Sequence, residues 1–135
     1  MKQEDKNLLL KDLCARLPYG VKCHFKYGSA EGDITLDCID NNVARFDYGW
    51  YGKFHVSIDT DYIKPYLRPM SSMTEEEEIE YDATFATIKI SDGHYDSVMT
   101  YKSIDFLNAY HFDYRGLIPI GLAIEVTEEN NPYKK

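Results

Sequence analysis

The sequence predicts an α+β domain with an N-terminal helix, an antiparallel sheet of four or five strands, and two helices in the C-terminal half. Three observations carry this. Apolar residues recur at helical spacing before Pro18, apolar and polar residues alternate through most of 21–58, and two capping residues, Thr74 and Ser103, open apolar segments later in the chain.

Leu10, Leu13, Cys14 and Leu17 form the stripe of a helix over residues 3–17, with Asp12 and Arg16 as an i,i+4 pair on another face. Pro18 and Gly20 end it. In VKCHFKY, Val21, Cys23, Phe25 and Tyr27 take one face of a strand, and Lys22, His24 and Lys26 the other. GSAEGD reads as the turn to a second strand over 34–39, and Asp40-Asn41-Asn42 as a tight turn to a third over 43–48. After Gly49-Trp50-Tyr51-Gly52 a fourth strand follows, with Phe54, Val56 and Ile58 opposed to Lys53, His55 and Ser57. Four strands so connected make a meander that is covered by a helix or curls into a small SH3-like barrel.

Pro65 and Pro69 prevent a long helix, leaving Ile63, Tyr66 and Leu67 as a short buried turn. Thr74 with Glu77 is a capping box for a helix reaching about Phe85, and Glu75, Glu76, Glu77 and Glu78 suit the positive end of its dipole. ATIKIS reads as a fifth short strand, SDGHYD as a turn, and Ser103 as the N-cap of a helix over 104–110. An irregular apolar segment and a polar tail, 128–135, expected to fray, complete one domain over 1–135.

Composition narrows function by exclusion. The net charge of −8 opposes non-specific binding to nucleic-acid phosphates. No apolar run is long enough for a membrane span, and the N-terminus lacks a secretory leader pattern, so a cytoplasmic location is expected. Cys14, Cys23 and Cys38 lack the spacing of a zinc site or disulfide framework and read as buried thiols. His24, His55, His94 and His111 fall in no metal-binding arrangement, and His111 reads as a helix-terminal residue. Asp59 and Asp61 lack the rest of a calcium loop; GSAEGD is not followed by Lys-Ser or Lys-Thr, and no nucleophile elbow occurs. No cofactor, metal or catalytic constellation is expected, and an enzyme is the last reading.

One feature is less routine. If the four strands share a sheet, its polar side gathers Lys22, His24, Lys26, Arg45, Lys53 and His55, with Asp37 and Asp47 in partial compensation. Tyr27, Tyr48, Trp50 and Tyr51 set aromatic rings beside these cations, which suits a protein hot spot or stacking on nucleic acid. The acidic start at Glu75, Glu76, Glu77 and Glu78 is either a solvated helix end or an imitation of phosphates.

LLLKDLCARLPYGVKC, YIKPYLRPMSSMTEEE and FLNAYHFDYRGLIPIGLAIE, in this order, resemble blocks of short uncharacterised proteins encoded by phages and integrated elements of gut-dwelling Bacteroidetes. The resemblance spans most of the chain and brings no activity with it. It implies an accessory protein of a mobile element that docks on a host or phage protein. The alternatives are an acidic anti-defence inhibitor that mimics nucleic acid and a small-barrel nucleic-acid binder.

Overall fold

The computed structural model describes residues 2–49, 52–58 and 61–134. Helix α1 spans Gln3–Arg16 and is followed by a 3₁₀ turn, Leu17–Tyr19, that Gly20 closes at φ +69°. The strands are β1 (Lys22–Tyr27), β2 (Ala30–Thr35), β3 (Cys38–Asp40), β4 (Val43–Asp47), β5 (Lys53–Ser57) and β6 (Tyr62–Leu67). Helix α2 (Glu75–Asp82), strands β7 (Ala86–Ser91) and β8 (His94–Val98), helix α3 (Tyr101–Ala109) and the short strand β9 (Ile124–Glu125) complete the chain.

The α+β class and the N-terminal helix are as expected; the sheet is not, and of the two expected C-terminal helices only α3 follows the β7-β8 hairpin, since both strands come after α2. Among the described residues the strands form three sheets, β2-β1-β6-β9, β3-β4-β5 and β7-β8, rather than one meander or an SH3-like barrel. The predicted second strand is divided. Its first part, β2, pairs with β1 from Lys22↔Thr35 to Tyr27↔Ala30, and after Leu36 and Asp37 the chain crosses to the other sheet as β3. The turn is thus only Gly28-Ser29, and Glu31, Gly32 and Asp33 are strand residues. Gly32 belongs in a strand here because Tyr48 lies across it: a Cβ at Gly32 would stand 2.5 Å from the Tyr48 hydroxyl oxygen.

The inner faces of the first two sheets meet through aromatic rings. The Phe25 centroid lies 4.8 Å from that of Phe46, 5.0 Å from Tyr48 and 5.6 Å from Phe54. Leu9 and Leu13 of α1, with Val21, Cys23, Ile34, Leu36, Val56, Ile63, Leu67 and Leu117, extend this core. The helix is therefore turned from the predicted stripe. Leu9, Asp12, Leu13 and Arg16 are buried while Cys14 is exposed, because Leu8-Leu9-Leu10 lets the apolar stripe take more than one rotation. Cys38 is only half-buried, so Cys23 alone is the fully buried thiol expected of all three.

The two-proline segment is a strand, not a turn. β6 pairs antiparallel with β1 from Lys26↔Tyr62 to Cys23↔Pro65, then leaves it and pairs parallel with β9 at Tyr66↔Ile124. Pro65 sits where the ladder changes partner, so its missing N–H costs little. Into the gap reaches Tyr133, from the tail expected to fray. Its hydroxyl accepts from Lys22 N at 3.0 Å and donates to Tyr66 O at 2.8 Å, and its ring stacks on His111 at 3.7 Å.

Candidate docking surface

The six predicted basic residues do not share a face. Lys22, His24 and Lys26 lie on the outer side of the first sheet, Arg45, Lys53 and His55 on that of the second, and the inner sides of the two sheets face each other. Each group meets carboxylates. His24 has Asp33 at 2.7 Å on Nδ1 and Glu31 at 3.2 Å on Nε2, while Arg45 pairs with Asp40 at 3.2 Å and Lys53 stands opposite Asp47. Lys26 and Lys64 both lie over the Tyr62 ring, at 4.7 and 4.9 Å. Tyr66 donates to Asp33 at 2.7 Å, and burial together with that bond pushes its hydroxyl pKa up.

A groove of about 690 Å³ beside these strands is lined by Asp33, Asp37 and Asp47 against Lys22, which does not suit a phosphate. Of the predicted aromatic residues, Tyr48 is half-buried and packs edge-on against Phe25, donating to Glu31 O at 2.8 Å. Tyr27 is half-exposed at the end of β1. Trp50 and Tyr51 lie outside the described residues, as does Asp59 of the DTDY segment.

Among the described residues, six of the nine exposed large apolar side chains lie elsewhere, Tyr27, Met70 and Ile120 being the other three. Ile79, Ile88, Ile90, Tyr95, Met99 and Tyr101 are all exposed, and all come from the segment α2-β7-β8-α3; Ile79, Ile90, Tyr95 and Tyr101 each keep more than 60% of their surface in water. ATIKIS is a strand as expected, but SDGHYD is not merely a turn. Asp92-Gly93 makes the turn and His94 begins β8, which pairs from Ser91↔His94 to Ala86↔Val98. A two-stranded hairpin has only marginal stability by itself, and among the described residues β7-β8 pairs with no third strand.

The base of this hairpin is built from caps. Thr74 and Glu77 form the expected capping box, and Arg68 clamps Glu77 with two bonds of 2.7 Å. The guanidinium and the amide of Thr74 hold the Glu77 carboxyl at a pKa of about 2 against the opposing cost of burial. The last helix starts earlier than expected: Thr100 is its N-cap, and Ser103 is the N3 partner of a second capping box. Thr84 donates to Ser103 Oγ at 2.8 Å, tying the end of α2 to the start of α3. Tyr81 stacks on Phe106 at 5.4 Å over a small cluster with Leu107 and Phe112.

Charge is segregated onto the same unit. Residues 75–105 hold nine carboxylates and two lysines, so −7 of the chain's −8 lies there and the rest is nearly neutral. Glu75, Glu76, Glu78 and Glu80 remain exposed on α2, which buries no residue fully. The unit thus offers exposed apolar side chains inside a strongly negative field. Composition could have revealed this, because a charge tally by segment separates 75–105 from the rest; the exposure of Ile88 and Ile90 could not be read, since ATIKIS fits a covered strand equally well.

The chain matches no family model, no curated protein and no solved structure. Among the described residues, no group of His, Cys, Asp and Glu side chains is arranged to hold a metal ion, and no helix is long and apolar enough to cross a membrane.

Proposed function

We propose that this chain is a small, non-enzymatic docking protein of a phage or mobile element. It acts in the cytoplasm by holding a partner protein on the unit α2-β7-β8-α3. The observation that carries this reading is the coincidence, on one unit, of six of the nine exposed large apolar residues among those described and nearly all the net charge. The two larger sheets and α1 serve as the scaffold. Their outer faces balance cations with carboxylates, which gives them little reason to attract a partner of either sign.

A second reading is favoured by the same −7: an anti-defence inhibitor whose acidic unit imitates nucleic acid toward a basic protein. The two readings differ in what holds the partner. Docking through Ile88, Ile90 and Tyr95 survives salt, whereas mimicry by carboxylates alone weakens steeply with it. The nucleic-acid-binding reading needs a single basic strand face, and those residues are divided between two.

The test is parallel affinity purification of wild type and the triple variant Ile88→Ser, Ile90→Ser, Tyr95→Ser at low and high salt. Docking predicts one stoichiometric protein with wild type at both salts and its loss with the variant. Mimicry predicts loss at high salt with both. Equal recovery with the variant at every salt would refute both.

A further inference from the structure

Resting on the docking reading, we infer that β8 is an open strand edge, guarded by Asp96, that accepts an extended basic segment of the partner by strand addition. Among the described residues the hairpin β7-β8 has no third strand, so each strand keeps one free edge. The edge of β7 is blunted: its register shifts between Lys89 and Ser91, and an irregularity with a nearby lysine is a usual defence of a free edge. β8 pairs without a shift from Tyr95 to Val98 and holds no proline.

Its guard is its own. Ser97 N donates to Asp96 Oδ1 at 2.9 Å, an interaction within the strand. Opposite residues of an antiparallel pair alternate between hydrogen-bonded and non-hydrogen-bonded; the turn closes on a hydrogen-bonded pair at His94, so Lys89↔Tyr95 and Thr87↔Ser97 are of the second kind, with amides facing away from β7. Amides two apart in a strand point the same way, which puts the Tyr95 and Ser97 amides on the outer edge.

This arrangement refuses one occupant and suits another. A second copy paired antiparallel about Asp96 would set two Asp96 carboxylates face to face and bring together two units of −7. A strand with lysine or arginine opposite Asp96 instead makes an attractive cross-strand pair. It draws the carboxylate away from Ser97 N, which then donates to the incoming backbone, and an apolar side chain of that strand can lie opposite Tyr95.

The test uses the whole protein and synthetic peptides copying residues 93–99, one unaltered and one with lysine in place of Asp96. Binding is followed by fluorescence anisotropy and by amide hydrogen exchange. The lysine peptide should bind at least about fivefold more tightly at low salt, narrowing at high salt, and slow exchange at Tyr95 and Ser97. N-methylation on alternate residues of that peptide, in one of the two phases, should abolish binding. Asp96→Ala in the protein should shrink the preference to less than about twofold.

Equal affinity of the two peptides overturns the inference, as does absence of binding by both. Protection confined to α2, with both methylated peptides still bound, overturns strand addition while leaving docking through the acidic unit intact. Self-association of the wild-type chain through β8 would show that a copy is the occupant and that Asp96 does not guard the edge.

Discussion

Removing the Asp12 carboxylate tests how α1 is fixed to the scaffold. Asp12 and Arg16 are both fully buried; Asp12 Oδ2 accepts from Arg16 Nε at 2.8 Å, and Oδ1 accepts from Arg115 Nη1 at 3.0 Å. Arg16 also donates through Nη2 to Phe112 O and lies 5.1 Å from the Tyr114 ring centroid, while its Nη1 has no hydrogen-bond partner among the described residues. Asp12→Ala leaves the Arg16 cation in the interior with no countercharge in contact. Breaking a buried pair from one side costs about 3–5 kcal/mol. At roughly 4 °C per kcal/mol for a chain of this size, the melting temperature should fall by about 12–20 °C. The double variant Asp12→Leu, Arg16→Met removes both charges and fills the space, so it should cost less than about 2 kcal/mol despite the bond lost at Phe112 O. Urea denaturation with an unchanged m-value is the assay. A loss below about 1 kcal/mol for Asp12→Ala, or a double variant less stable than the single one, would refute the reasoning.

Glu77→Gln should destabilise by about 2 kcal/mol at neutral pH, measured by urea denaturation, because it removes the charge from the clamp on Arg68. The folded carboxyl titrates below its ordinary value, so its stabilisation is complete above about pH 4.5 and is lost as the pH falls toward about 2. His111 behaves in the same sense from a higher starting point. Burial first, then the nearby Arg16, Arg68 and Lys22, lower its pKa to about 4, so its protonation favours unfolding as the pH drops from about 6.5 to 4. His111→Asn tolerates the backbone φ of +65° and should flatten stability over that window in pH-dependent melting. Gly32→Ala should cost about 1–3 kcal/mol in urea denaturation by displacing Tyr48 from Glu31 O.

The local signals in the sequence were largely sufficient for local structure. Thr74 with Glu77 marked the start of α2, the alternation of VKCHFKY marked β1, and ATIKIS marked β7. What failed was assembly. Periodicity says which side chains share a face of one strand but not which strands share a sheet, so it sets Lys22 and Arg45 on one face although the chain changes sheets at Leu36-Asp37. Asp12 and Arg16 read as an i,i+4 pair on a face other than the apolar stripe, and the helix pattern does not show Arg115 and Phe112 O arriving from elsewhere in the chain to bury them. Pro65 disguised a strand because its missing N–H is harmless only where β6 exchanges β1 for β9. Tyr133 likewise lies in a polar tail, and its anchoring depends on that exchange. The acidic run at Glu75–Glu78 is legible in the sequence, but the solvent exposure of Ile88, Ile90 and Tyr95 in the same unit is not.

The central claim is that the partner is held on the unit from α2 to α3 and not on the outer faces of the larger sheets. The most direct measurement places a photo-cross-linking side chain at Tyr95 in one protein and at His55 in another, and irradiates each in host lysate. Position 95 should capture one defined protein and position 55 none. Capture of that protein from position 55, with none from position 95, would contradict the account and return the site to the strand faces.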